Sequence, residues 1–119
     1  IDESAEVSDS FYIIFNDYLD IVNETIPESF TVFSAYPNPF NPFTIISYLI
    51  PADGFVDVTI FDMMGREIKN LVSSRQSNGY KSIRWDATDN QNQAVTAGVY
   101  LYKIEYENFV NTRKMILLK

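Results

Sequence analysis

From residue 30 to residue 118 the chain repeats one pattern: a short run of alternating apolar residues, then a cluster of turn formers. Val56, Val58 and Ile60 alternate with Asp57 and Thr59; Ile46, Tyr48 and Ile50 share one parity, as do Tyr100, Tyr102, Ile104 and Tyr106. A two-residue period sorts side chains onto opposite faces of an extended strand, so each run predicts a strand with one buried face, and Asp57 and Thr59 are expected to face outward. Residues 30–35, 66–72, 80–85 and 109–118 read as strands too, with Ile83 and Trp85 on one face. Between the runs lie Pro51-Ala52-Asp53-Gly54, Asp62-Met63-Met64-Gly65, Ser77-Asn78-Gly79 and Glu107-Asn108, all rich in turn formers. Gly65 is expected to supply a positive φ. Tyr36-Pro37-Asn38-Pro39-Phe40-Asn41-Pro42 can be neither strand interior nor helix, because its prolines fix φ and remove backbone donors. Residues 86–97 read as a loop. The pattern predicts an all-β fold, an antiparallel immunoglobulin-like β-sandwich of about seven strands, with Trp85 at its centre.

Upstream, Phe11-Tyr12-Ile13-Ile14-Phe15 is dense in strand formers, although Phe11, Ile14, Phe15, Tyr18, Leu19 and Val22 also sit at helical spacing. The strand is favoured, since aromatic and β-branched residues are poor helix formers. Residues 23–29, Asn23-Glu24-Thr25-Ile26-Pro27-Glu28-Ser29, form a polar linker between residues 1–22 and a domain over 30–119. Ile1-Asp2-Glu3 resembles neither a start nor a signal peptide, so a fragment or a processed product is expected.

The chain holds no cysteine and no histidine, which removes disulfides, thiol nucleophiles, histidine bases and histidine metal ligands. Packing alone must therefore hold the two sheets together. Asp53 and Asp57 fall in a turn and on an outward strand face, so no acid–base pair is expected and the chain reads as no enzyme. Net charge is −7: residues 1–65 carry eleven acids and no base, and residues 66–119 carry nine bases and five acids, +4. An acidic front half argues against nucleic acid as a partner. No apolar run approaches the roughly 20 residues of a transmembrane helix. Asp86, Asp89, Asn90 and Asn92 form the one oxygen-rich cluster, where Ca2+ is conceivable; a self-capped loop is the simpler expectation, with no metal and no cofactor. The Tyr100, Tyr102 and Tyr106 stripe is expected to be core with hydroxyls at its rim, rather than a stacking platform.

The last residues, Thr112-Arg113-Lys114-Met115-Ile116-Leu117-Leu118-Lys119, place four apolar side chains between two lysines. Such a segment closes a core or is read by a partner. With Tyr36–Pro42, Ile46-Ser47-Tyr48, Val58-Thr59-Ile60-Phe61-Asp62, Gly65-Arg66-Glu67, Gly79-Tyr80, Trp85-Asp86 and Gly98-Val99-Tyr100 in order before it, residues 36–119 closely resemble the type A C-terminal sorting domain of the type IX secretion system. The resemblance implies an exported protein, in transit through the periplasm and then at the cell surface or extracellular. It implies as partners an outer-membrane translocon, its shuttle protein and a sortase-like peptidase cutting within about residues 22–29. Residues 1–22 would then end an upstream cargo domain. The family's signal residues fall on Gly98, Val99, Tyr100, Lys114, Met115, Ile116, Leu117, Leu118 and Lys119, and its structural motif on Pro37, Asn38, Pro39, Phe40, Asn41, Pro42, Gly65 and Trp85. Ala87 and Gln91 stand where relatives usually carry glycine. The terminal strand is expected both to close the sandwich and to leave a readable edge beside Lys119. The Trp-Asp loop and Gly-x-Tyr strand also resemble the Ig-like domain of the flagellar hook-capping protein, which implies instead a structural, adhesion or assembly module retained in the mature protein.

Overall fold

The computed structural model describes residues 29–118; the element expected over 11–22, linker residues 23–28 and Lys119 lie outside the described residues. Seven strands follow in order: β1 (Thr31–Val32), β2 (Thr44–Ile50), β3 (Gly54–Asp62), β4 (Glu67–Gln76), β5 (Gly79–Trp85), β6 (Gly98–Tyr106) and β7 (Phe109–Leu117). They build a three-stranded sheet in the order β1-β2-β5 and a four-stranded sheet in the order β4-β3-β6-β7, with every named pair antiparallel. The fold is the predicted immunoglobulin-like sandwich.

The alternating runs set the core. Ile46, Tyr48 and Ile50 of β2 and Trp85 of β5 face Val56, Val58 and Ile60 of β3, the four alternate residues of β6, and Met115 and Leu117 of β7; all are buried. The tyrosines bury their rings and spend their hydroxyls at the rim: Tyr100 donates to Thr96 O (2.6 Å), Tyr102 to Phe33 O (2.9 Å) and Tyr106 to Ala52 O (2.8 Å). Each ring adds apolar area while its polar tip fastens a connecting segment. Burial pushes the phenol pKa of Tyr102 up.

Three local expectations change. The first strand shortens from residues 30–35 to Thr31–Val32, because Phe33 N still bonds Ser47 O (3.0 Å) but Ala35 N turns away to the Tyr102 hydroxyl (3.0 Å). The fourth starts after Arg66, whose backbone belongs to the β3–β4 turn, and runs on to Gln76. Thr59 shares the outward face with Asp57, as the period requires, yet is buried there. The β3–β4 register shifts between Val58 and Thr59, and there the Asn70 amide donates to Thr59 Oγ1 (3.0 Å) and Asp57 Oδ1 (2.7 Å). That side chain closes over the threonine. In the turn itself Gly65 has φ 86°, as expected.

Candidate functional site: the terminal strand and its clasp

Register brings the two halves of the predicted signal side by side. Gly98 pairs with Leu117, Val99 with Ile116, Tyr100 with Met115 and Leu101 with Lys114. Strand alternation then divides them. Tyr100, Met115 and Leu117 are buried and serve the core, whereas Lys114, Ile116 and Leu118 are exposed and Val99 is half-buried beside them. The exposed face of this strand end is therefore a small apolar patch with a lysine at its border.

The proline segment supports this site from the side. Phe40 forms a parallel bridge with Leu117: Phe40 N donates to Ile116 O (2.9 Å) and Leu118 N donates to Phe40 O (2.8 Å). Asn38 completes the pairing, its Oδ1 accepting from Ile116 N (2.9 Å). Prolines suit this position because a strap outside the sheet needs few backbone donors of its own. Pro37 O accepts from the buried Thr44 hydroxyl (2.8 Å), tying the strap to the start of β2. Pro37, Asn38, Pro39, Asn41 and Pro42 are exposed, and only Phe40 of this run plunges inward.

The readable edge expected beside Lys119 is thus corrected. At Ile116 and Leu118 the outward backbone groups already have partners in Asn38 and Phe40. Since outward positions alternate along an antiparallel strand, the open part of β7 lies further back, at Val110, Thr112 and Lys114.

Beneath the strap lies an aromatic cluster. Phe40 and Tyr100 pack on Trp85 with ring centroids at 5.7 and 5.4 Å, and Trp85 Nε1 donates to Thr88 O (2.9 Å). Trp85 is fully buried, as its expected central role requires. The following loop turns on Ala87 (φ 63°) and Asn92 (φ 64°). Ala87 thus holds a left-handed conformation that glycine would adopt freely, whereas Gln91 does not.

The oxygen-rich loop holds an internal cation. Lys69 of β4 directs its Nζ to Asn92 Oδ1 (3.0 Å), Asp89 O (3.2 Å) and Thr88 Oγ1 (3.3 Å). These contacts match the three donors of an ammonium group. Asp89 Oδ1 accepts from the N–H groups of Gln91 and Gln93, Asp86 from the Thr88 hydroxyl, and Asn90 Oδ1 from Asn70 N (3.1 Å). The Thr88 hydroxyl, against some cost of desolvation, holds the Asp86 carboxyl below its ordinary pKa, and Lys69 and Arg84 help. Every calcium candidate is engaged by the protein's own donors. Among the described residues no group of three or more acidic side chains gathers as a metal would need.

The sequence singled out the proline segment and the terminal strand but not their contact. Asn38 as the cap of Ile116, and Lys69 as the cation of the loop, carry no local pattern that would reveal them.

Residues 41–109, more than half of the chain, match the family model of the FlgD Ig-like domain. No curated protein matches. Among solved structures, latent PorU from Porphyromonas gingivalis is similar at a TM-score of 0.63 and 22% identity, over 82% of this chain and 10% of PorU. PorZ from the same organism is similar at 0.50 and 19%, over 74% of this chain and 11% of PorZ. FlgD from Xanthomonas campestris is similar at 0.51 and 21%, over 76% of this chain and 63% of FlgD. The chain spans about a tenth of the PorU and PorZ chains, and at these identities the likeness is one of fold. The match over residues 41–109 makes this chain a member of the FlgD Ig-like domain family.

Proposed function

We propose that this Ig-like domain is a non-catalytic sorting module, directing an upstream cargo through the type IX secretion system to the cell surface. The observation that carries the reading is the register that sets Gly98-Val99-Tyr100 against residues 115–117, the two ends of one hairpin that together resemble one export signal. The likeness to PorZ, described as a bacterial surface component of the type IX secretion system, points the same way. Val99, Lys114, Ile116 and Leu118 form the surface that a translocon or its shuttle would read. The open backbone of Val110, Thr112 and Lys114 adds a place for strand pairing. A sortase-like peptidase would act upstream, in residues 22–29. The domain needs no cofactor in this role.

Met115 and Leu117 are core residues, so truncating the strand would confuse misfolding with lost recognition. The test is Lys114→Ala combined with Ile116→Ser, both exposed, in the intact cargo protein. Cargo is expected to accumulate in the periplasm while the domain keeps its melting temperature; unchanged surface delivery would sink the reading.

Membership of the FlgD Ig-like family favours a second reading, a structural or assembly module retained in the mature protein. Mass spectrometry of the surface-exposed product separates the two. Loss of everything after residues 22–29 supports sorting, and retention supports the structural role.

A further inference from the structure

The outer face of the β1-β2-β5 sheet is apolar where an ordinary sandwich face is polar. Ile46, Tyr48 and Ile50 point inward, so Ile45, Ser47 and Leu49 point outward, and register sets them opposite Arg84, Ser82 and Tyr80. The Phe33 ring lies 6.0 Å from the Tyr80 ring, and the Tyr80 hydroxyl reaches across to Ser47 Oγ (3.0 Å). The Arg84 guanidinium sits 4.3 Å above the Phe43 ring. Phe33, Phe43, Ile45 and Tyr80 are all exposed. Single exposed apolar residues are ordinary, but a contiguous aromatic face carrying an arginine is the composition of a contact surface.

We propose that residues 11–22 of this same chain cover this face. Nine of those twelve residues are large and apolar, among them Phe11, Ile14, Phe15 and Leu19, a composition suited to packing on an apolar face. The chain enters the domain through β1, the edge strand of this sheet. Eight residues separate Val22 from Thr31, a reach of about 26–29 Å at 3.3–3.6 Å per residue. The seven residues of β2 span roughly 23 Å, so the segment can lie along the whole face. Charge agrees: residues 1–28 hold eight acids and no base, and the cation exposed on the face is Arg84. Asp17 and Asp20 fall among the apolar residues, where they can meet it. The apolar face and the composition of residues 11–22 would favour this packing whether or not the domain sorts a cargo.

The test uses the full 119-residue chain, whose lack of cysteine allows single-site labelling. A nitroxide on Ser82→Cys, at the middle of the face, is expected to broaden the amide resonances of residues 11–22. A nitroxide on Ser73→Cys, on the outer face of the opposite sheet, is expected to leave them sharp. Replacing Ile14 and Phe15 by Asp should abolish the Ser82 effect while the spectrum of residues 29–118 stays folded. No broadening from Ser82 overturns the proposal. Broadening that appears only between mixed labelled and unlabelled chains also overturns it, since a second copy would then be the occupant.

Discussion

Trp85 joins three parts of the molecule through one side chain. Its ring meets Phe40 of the strap and Tyr100 of β6, and its Nε1 holds the loop at Thr88. Trp85→Ala removes all three contacts and leaves a cavity that the strap cannot fill, for an expected loss of about 3–5 kcal/mol in denaturant unfolding. Trp85→Phe keeps most of the apolar area but orphans the Thr88 carbonyl, and about 1–3 kcal/mol should be lost. Ala87 is a closer contest. Changing it to Gly relieves a left-handed conformation costing about 1–2 kcal/mol. It also removes a buried methyl worth about 0.8 kcal/mol and adds unfolded-state entropy worth about 0.5–1 kcal/mol. The terms nearly cancel, so Ala87→Gly should unfold at nearly the same denaturant concentration as the parent.

At the scale of elements, the β3–β4 turn depends on Asp62. Its Oδ1 accepts from Met64 N and Arg66 N, both at 2.9 Å, and its Oδ2 pairs with Arg66 Nε (2.9 Å). The Arg66 backbone N–H, with further help from the Arg66 side chain and Met64 N–H, holds the Asp62 carboxyl below its ordinary 3.8. A lowered carboxyl pKa gives stability that is complete above the ordinary value and is lost as pH falls through the folded-state value. Asp62 and Asp86 both behave so, and thermal melts should show stability falling from near pH 3.8 downward. The fall should be shallower in Asp62→Ala.

The other decisive element is the end of β7. Asn38→Ala leaves Ile116 N exposed to water with no partner, and about 0.5–1.5 kcal/mol should be lost, with amide exchange accelerated at Ile116 before it changes in β3. The strands themselves were legible because a period of two is a local property: Val56, Val58 and Ile60 declare their buried face without reference to any neighbour. Thr59 obeyed the period and was still buried, because Asn70 reaches it across a register shift that no pattern announces. The contacts of Lys69 and Asn38 could not be foreseen for the same reason. A polar side chain that satisfies a distant backbone group looks, in sequence, like any other surface residue.

At the scale of the whole molecule the two sheets are unequal, and protection should follow. β3 and β6 are flanked by strands on both sides, while β1 offers only Thr31–Val32 and β7 has open backbone at Val110, Thr112 and Lys114. Hydrogen exchange is expected to be slowest in β3 and β6 and fastest in β1 and along that open stretch, over a range set by the global stability. Equal protection across β7 and β6 would mean that something covers the edge. The clasp of strap and terminal strand also sets a pace. Asn38 and Ile116 are 78 residues apart, and Ser34 and Arg113, joined by a 3.3 Å hydrogen bond, are 79 apart. Contacts spanning most of a chain form late, because the entropy of closing so long a loop comes before any reward. Such a polypeptide folds more slowly than a helical one of equal size, and until the last strand arrives the early strap has no mate for Asn38 or for the backbone of Phe40.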